Sequence, residues 1–263
     1  MVDFENKPRY GVYDLKKLME LLRGPGGCPW DSEQTHKSIR RNMLEEAYEA
    51  AEAIDDGDME HLREELGDVL LQVIFHANIS EDAGSFGLDD IADATCRKLI
   101  RRHPHVFGEE RAKDGVESIA FWEDAKRKEN RQGSVSETMR SVAHSLPALW
   151  RAEKIQKKAA KAGFDWPSYE GALNALRAEL YELEDAVTFG GDIAGELGDI
   201  LFSAVNTARF FNIDPEEALG AASDKFVSRF SRIESTVLEQ GRRLEDMSLD
   251  EMEIIYQQVK LEE

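Results

Sequence analysis

Residues 43–74, MLEEAYEAAEAIDDGDMEHLREELGDVLLQVI, decide the fold. Met43, Ala47, Ala50, Ala51 and Ile54 recur at helical spacing, and so do Leu62, Leu66, Val69, Leu70, Val73 and Ile74. The turn around Asp55–Asp58, with Gly57 in it, is short enough to make the two helices antiparallel neighbours. Residues three and four apart share a helix face, with Cβ atoms about 5–6 Å apart. Glu45, Glu46 and Glu49 therefore line one helix, and Glu65 and Asp68 line the next. From Met43 to Asp68 there are eleven Asp or Glu and one Arg. Like charges at this spacing cost a bare helix a few tenths of a kcal/mol, about 0.2–0.5 per pair. A hard divalent cation held by carboxylate oxygens would offset that cost.

A single E-x-x-E is usually a solvated acidic face. Here Glu65 and Asp68 adjoin the most apolar helix of the region, which places them near a core. Gly67 sits mid-helix, at about 1 kcal/mol relative to Ala, as Gly198 does later. Close approach of another helix or of a ligand is the expected reason.

Outward from this hairpin the pattern stays helical. Leu15, Leu18, Met19 and Leu22 form a face, as do Ile91, Ala94 and Leu99. Leu146, Leu149 and Ile155 follow, then Leu173, Leu176, Leu180 and Leu183, then Ile200, Leu201, Ala204 and Val205. Asp214-Pro215-Glu216-Glu217 is a helix start, with Asp as N-cap and Pro at the first helical position. Gly190-Gly191 marks another tight turn, and no alternating strand pattern occurs, so the fold class is all-α. Residues 123–138 are the most polar stretch without a core face and read as a linker region. The expected division is a first domain over 1–131, a linker over 132–144 and a second domain over 145–263.

The two halves repeat one another. Glu46-x-x-Glu49 pairs with Glu179-x-x-Glu182, and Glu65-Leu66-Gly67-Asp68 with Glu196-Leu197-Gly198-Asp199. Lys98-x-x-x-Arg102 pairs with Lys225-x-x-x-Arg229, Trp122-x-x-x-Lys126 with Tyr256-x-x-x-Lys260, and Trp30 with Trp166. The order is kept at offsets of 127 to 136 residues, as in a duplicated domain.

The chain has 263 residues and a net charge of −20. That balance disfavours nucleic acid or an anionic membrane as the main partner. Met43–Asp68 carries −10 of it and Leu176–Asp199 another −6, so the acidity marks two places where a cation would bring in a phosphate. No apolar run approaches the ~18 residues of a membrane span, and the N-terminus has no signal-peptide pattern. Cys28 and Cys96 alone make no disulfide framework and fit a reducing cytoplasm. No phosphate-loop, dinucleotide or serine-nucleophile motif occurs, and only one E-x-x-H is present, Glu33–His36, which disfavours a di-iron redox bundle.

Positive side chains facing a carboxylate–metal cluster are how phosphates are gripped. Lys98 and Arg102, in a run without acids, are the candidates in the first copy, and Lys225 and Arg229 in the second. Trp30 and Trp166, just before the acidic helices, suit base stacking; Trp122 and Tyr256 are the weaker aromatic candidates.

Taken together, Glu45-Glu46-Ala47-Tyr48-Glu49 followed after 15 residues by Glu65-Leu66-Gly67-Asp68 resembles the signature of the MazG nucleoside triphosphate pyrophosphohydrolases. Gly27-Cys28-Pro29-Trp30-Asp31, Arg101-Arg102-His103-Pro104-His105-Val106-Phe107, Ser145-Leu146-Pro147-Ala148-Leu149 and Gly163-Phe164-Asp165-Trp166 extend the likeness from about Leu15 to Lys260, in the two-copy arrangement of long MazG proteins. The resemblance implies two tandem helical domains of four-helix-bundle type and a homodimer. It implies Mg²⁺-dependent hydrolysis of nucleoside triphosphates, broadly chosen, to monophosphate and pyrophosphate, in clearing unwanted nucleotides. Its metal-binding acids map to Glu46, Glu49, Glu65 and Asp68, and to Glu179, Glu182, Glu196 and Asp199. Its phosphate-binding cations map to Lys98, Arg102, Lys225 and Arg229. Glu45, next to the metal-binding set, is a candidate acceptor for the proton of the attacking water. The second copy departs from the signature at Ala178 and Gly195, and Asp192 stands four residues before Glu196, so the first copy holds the fuller set. The competing readings are a narrower substrate such as dUTP or phosphoribosyl-ATP, and a non-enzymatic acidic helical regulatory protein.

Overall fold

The computed structural model describes residues 3–129 and 134–261. The chain divides into two compact units, Met1–Asn130 and Arg131–Glu263. The expected boundary between 131 and 132 lies outside the described residues.

The first unit contains α1 (Val12–Arg23), α2 (Pro29–Glu33), α3 (Arg40–Asp56), α4 (Met59–Asp82), α5 (Leu88–Arg102), α6 (Pro104–Phe107) and α7 (Gly115–Glu129). The second contains α8 (Val135–Arg140), α9 (Ala148–Lys161), α10 (Tyr169–Phe189), α11 (Ile193–Phe210), α12 (Pro215–Glu239), a 3₁₀ turn at Leu244–Asp246 and α13 (Leu249–Leu261). No strand occurs among the described residues. The packing repeats as the motifs do. α3 packs on α4, α4 on α1 and α5, and α5 on α7; in the same order α10 packs on α11, α11 on α9 and α12, and α12 on α13.

The α3–α4 hairpin closes through two residues. Gly57 is left-handed at φ 69° and ends α3, Asp58 N donates to Ala53 O at 3.0 Å, and the Asp58 carboxylate accepts from the amides of Glu60 and His61 at 3.0 Å. The Asp214 carboxylate caps α12 in the same way, with Pro215 following, as its sequence predicts. The core of the first unit is Met19, Ile39, Ile74 and Phe75, with Leu15, Leu22, Leu70 and Leu71 packed on it. A core in the second is Ile233, Val237, Ile255 and Val259.

Three expectations are corrected. The stripe Met43, Ala47, Ala50, Ala51 and Ile54 is buried only at Ala50: Met43 and Ile54 are exposed, and Ala53, outside the stripe, is fully buried. Small side chains let α3 lie close to α4, and that contact turns the larger apolar residues outward. Leu66, expected on the core face of α4, is 52% exposed for the same reason. Gly67 and Gly198 are not explained by close approach within the chain, since a Cβ at either would meet nothing within 4 Å. The polar stretch 123–138, read as a linker region, contains the division between the two units; α7 runs to Glu129, and α8 begins at a reciprocal cap in which Glu137 N donates to Ser134 Oγ at 3.2 Å and Ser134 N to Glu137 Oε2 at 3.1 Å. In α8 Val135, Ser136 and Glu137 are exposed, and Val142 just beyond it is buried.

Candidate metal centre

The α3–α4 hairpin brings three of the four predicted acids together. Glu46 and Glu49 come from α3 and Glu65 from α4, and an oxygen of each lies within 4.8 Å of the other two. Asp68 joins them electrostatically. Burial first, then the charges of Asp68, Glu49 and Glu65, hold the Glu46 carboxyl above its ordinary value. Glu65 lies deepest, at 7% exposure. Its Oε1 is 3.1 Å from His61 Nε2, and its buried Oε2 has no hydrogen-bond partner. A buried carboxylate oxygen without a donor costs at least about 1–3 kcal/mol. A divalent cation among these oxygens removes that cost, so the donor set fits a hard metal.

The second copy forms a related cluster. Oxygens of Glu179, Glu196 and Asp199 lie within 4.8 Å of one another, and the predicted Glu182 is not among them. Burial, followed by the charges of Glu182, Asp199 and Glu196, raises the Glu179 carboxyl, while a hydrogen bond with Ser203 opposes the shift. The departures at Gly195 and Asp192 have one structural cause. Helix α11 starts only at Ile193, so Asp192 is its N-cap, accepting from Gly195 N at 3.0 Å. A Cβ on residue 195 would lie 2.7 Å from Asp192 Oδ2. Glu196 thus sits in the first turn of its helix, whereas Glu65 is two turns into α4.

Glu45 is placed differently from its neighbours. Its carboxylate accepts from Arg41 Nε at 2.7 Å along the exposed side of α3 and is not among the clustered oxygens. The cation candidates lie on α5 and α12. Arg102 stands 5.1 Å over the Trp122 ring, which Lys126 also approaches at 4.9 Å. In the second unit Arg229 stands 5.6 Å over Tyr256 and is 3.3 Å from its hydroxyl. Lys98 and Lys225 are exposed one turn earlier on the same helices. Trp122 lines a hollow of about 300 Å³ with His103, His105, Ser118 and Ile119. Trp30 is 58% exposed on α2, and the Trp166 ring packs on Gly171. The aromatic residues ranked lower on sequence are therefore the ones in contact with the predicted phosphate-binding arginines.

Sequence reasoning passed over His61 and Ser203. His61 is four residues before Glu65 and Ser203 four after Asp199, so the spacing that grouped the acids would have found both.

The raised Glu46 carboxyl has a stability consequence. Above its ordinary value of about 4.5 the folded state binds more protons than the unfolded state, so metal-free stability falls as pH rises through the raised value. Glu46→Gln is expected to raise the metal-free melting temperature at pH 7 by about 2–4 °C, the scale of 1 kcal/mol. That gain should vanish at about pH 3.5, below the ordinary value, where Glu46 is largely protonated in both states. Melting in chelator at both pH values checks this, and an equal shift at both would contradict it.

The description "MazG nucleotide pyrophosphohydrolase domain" belongs to the family whose model matches the chain twice, over residues 34–107 and 168–233. Those segments hold both acidic clusters and both Lys/Arg pairs. The chain is 42% identical over 247 residues to the "Nucleoside triphosphate pyrophosphohydrolase/pyrophosphatase MazG" of Thermotoga maritima, covering 94% of each. It is 41% identical over 254 residues to the "Nucleoside triphosphate pyrophosphohydrolase" of Escherichia coli K12, covering 95% of this chain and 97% of that one. To the Bacillus subtilis protein YabN, named as uncharacterized, it is 47% identical over 249 residues, 94% of this chain, and it spans only about half (51%) of that longer protein. With both copies matched and full-length relatives on either side of the comparison, the chain belongs to the MazG family of nucleotide pyrophosphohydrolases.

Proposed function

We propose that the chain hydrolyses nucleoside triphosphates, ribo and deoxy alike, to the monophosphate and pyrophosphate with Mg²⁺, and so clears unwanted nucleotides. The observation that carries the metal assignment is Glu65 Oε2, buried without a partner beside Glu46 and Glu49. Bound Mg²⁺ supplies charge neutralisation at the phosphates and a more acidic water. Glu46, Glu49, Glu65 and Asp68 hold it in the first copy; Glu179, Glu182, Glu196 and Asp199 are the weaker set in the second. Lys98 and Arg102 take up negative charge on the phosphates, with Lys225 and Arg229 their counterparts. Trp122 offers its face to the base, steadied by Arg102, and Tyr256 does the same in the second copy; Trp30 and Trp166 are the outlying aromatic candidates. Water attacks the α-phosphorus, the bond to the β-phosphate bridge breaks, and pyrophosphate leaves. Glu45, held by Arg41, is the outlying candidate for the proton.

Leu66, Leu99 and Ile100 are about half exposed on α4 and α5. They support a homodimer, which light scattering would read as twice the chain mass. Among the described residues no helix is long and apolar enough to cross a membrane. A cytoplasmic enzyme without a nucleic-acid partner is the reading consistent with two free cysteines and a charge of −20.

The deciding experiment incubates purified protein and Mg²⁺ with a panel of NTPs and dNTPs and measures pyrophosphate and monophosphate. Release from several bases is expected. Release from dUTP or phosphoribosyl-ATP alone would favour a narrower enzyme, and none at all a regulatory protein.

A further inference from the structure

His61 bears on the first cluster without belonging to it. It is the third residue of α4, and its backbone amide is fixed by the Asp58 cap at 3.0 Å. One turn later its Nε2 lies 3.1 Å from Glu65 Oε1. Glu65 is buried, so few donors can reach it, and the opposite oxygen is left without one. A carboxylate held at one oxygen cannot rotate freely about its last torsion, and the free oxygen keeps its place among those of Glu46 and Glu49. The second copy lacks this support. Asp192 stands at the matching position, has no proton to donate when ionised, and is occupied with Gly195 N.

We propose that His61 is a positioning residue: its Nε2, 3.1 Å from Glu65 Oε1, holds that oxygen so that Oε2 faces the cation, and it makes the first copy the tighter divalent-cation site. The inference rests on the reading that the acids take a metal, and deepens it. An outer partner of a metal ligand sets ligand orientation, and its loss typically weakens metal binding about 10–100-fold.

The test uses the full chain in a Glu196→Gln background, free of nucleotide, with Mn²⁺ titrated and free Mn²⁺ read by electron paramagnetic resonance. His61→Ala and the bulkier His61→Leu should each weaken binding about 10–100-fold. His61→Gln, whose side-chain amide can donate from the same place, should restore most of it. In turnover assays of the otherwise native chain, the Mg²⁺ concentration for half-maximal rate should rise with His61→Ala while the rate at saturating Mg²⁺ is retained. His61 is 44% exposed, and melting curves verify that its variants are folded. Should His61→Ala not fold, the Leu and Gln pair gives the same comparison. Mn²⁺ affinity equal to that of His61 in both the Ala and Leu variants overturns the inference. Adding Glu65→Gln separates the two levels: if it too leaves binding unchanged, the metal reading of the cluster fails; if it abolishes binding while His61→Ala does not weaken it, only the positioning role fails.

Discussion

Glu65→Gln is expected to lower pyrophosphate release by more than about 100-fold, beyond the scale at which loss of a mere outer partner acts at a metal site. The substitution keeps the side-chain volume and removes one charge. It therefore leaves no cavity, and it relieves repulsion with Glu46, so lost activity cannot be put down to unfolding. Glu196→Gln should leave most of the activity. The reason is the difference in burial: Glu65 is 7% exposed with an orphaned oxygen, whereas Glu196 is half-buried in the first turn of α11 and has no such orphan. Glu45→Gln should stay within about tenfold of the native rate, well under the 10²–10⁴-fold of a general base, because Glu45 is turned toward Arg41. Loss of turnover with Glu196→Gln alone would reverse the ranking of the copies.

Chelation is expected to abolish turnover, and added Mg²⁺ to restore it. The same addition should raise the melting temperature, since a ligand at 100 times its dissociation constant stabilises by about 2.7 kcal/mol. The rise should be larger at pH 7 than at pH 5. The Glu46 and Glu179 carboxyls are raised in the metal-free protein by burial and by neighbouring acids, so near pH 5 protons compete with the cation for them. Full activity in chelator would refute the metal assignment in both copies.

Much of this site is legible in the chain itself because it is local. Glu46 and Glu49, or Glu65 and Asp68, share a face through helical spacing alone, and Gly57-Asp58 folds one pair back on the other. The doubled motifs announce the doubled packing of α3 on α4 and α10 on α11. What lies across helices is not legible in that way. Trp122 and Arg102 meet across α5 and α7, twenty residues apart in sequence, and no local pattern joins them.

By itself, then, the sequence determined an all-helical duplicated chain, the turns, the acids of each cluster and the family signature, since each depends on residues close in the chain or on their order. The tertiary structure decided which side of each helix is covered. Spacing sets a residue's angle about its own helix axis but not the face a neighbour will take. On α3 the covered residues are Ala50, from the apolar stripe, and Ala53, from outside it, while Met43 and Ile54 stay exposed. That choice buries Glu65 with one oxygen on His61 and one unmatched, leaves Glu45 outside, and separates a deep first site from a shallower second one.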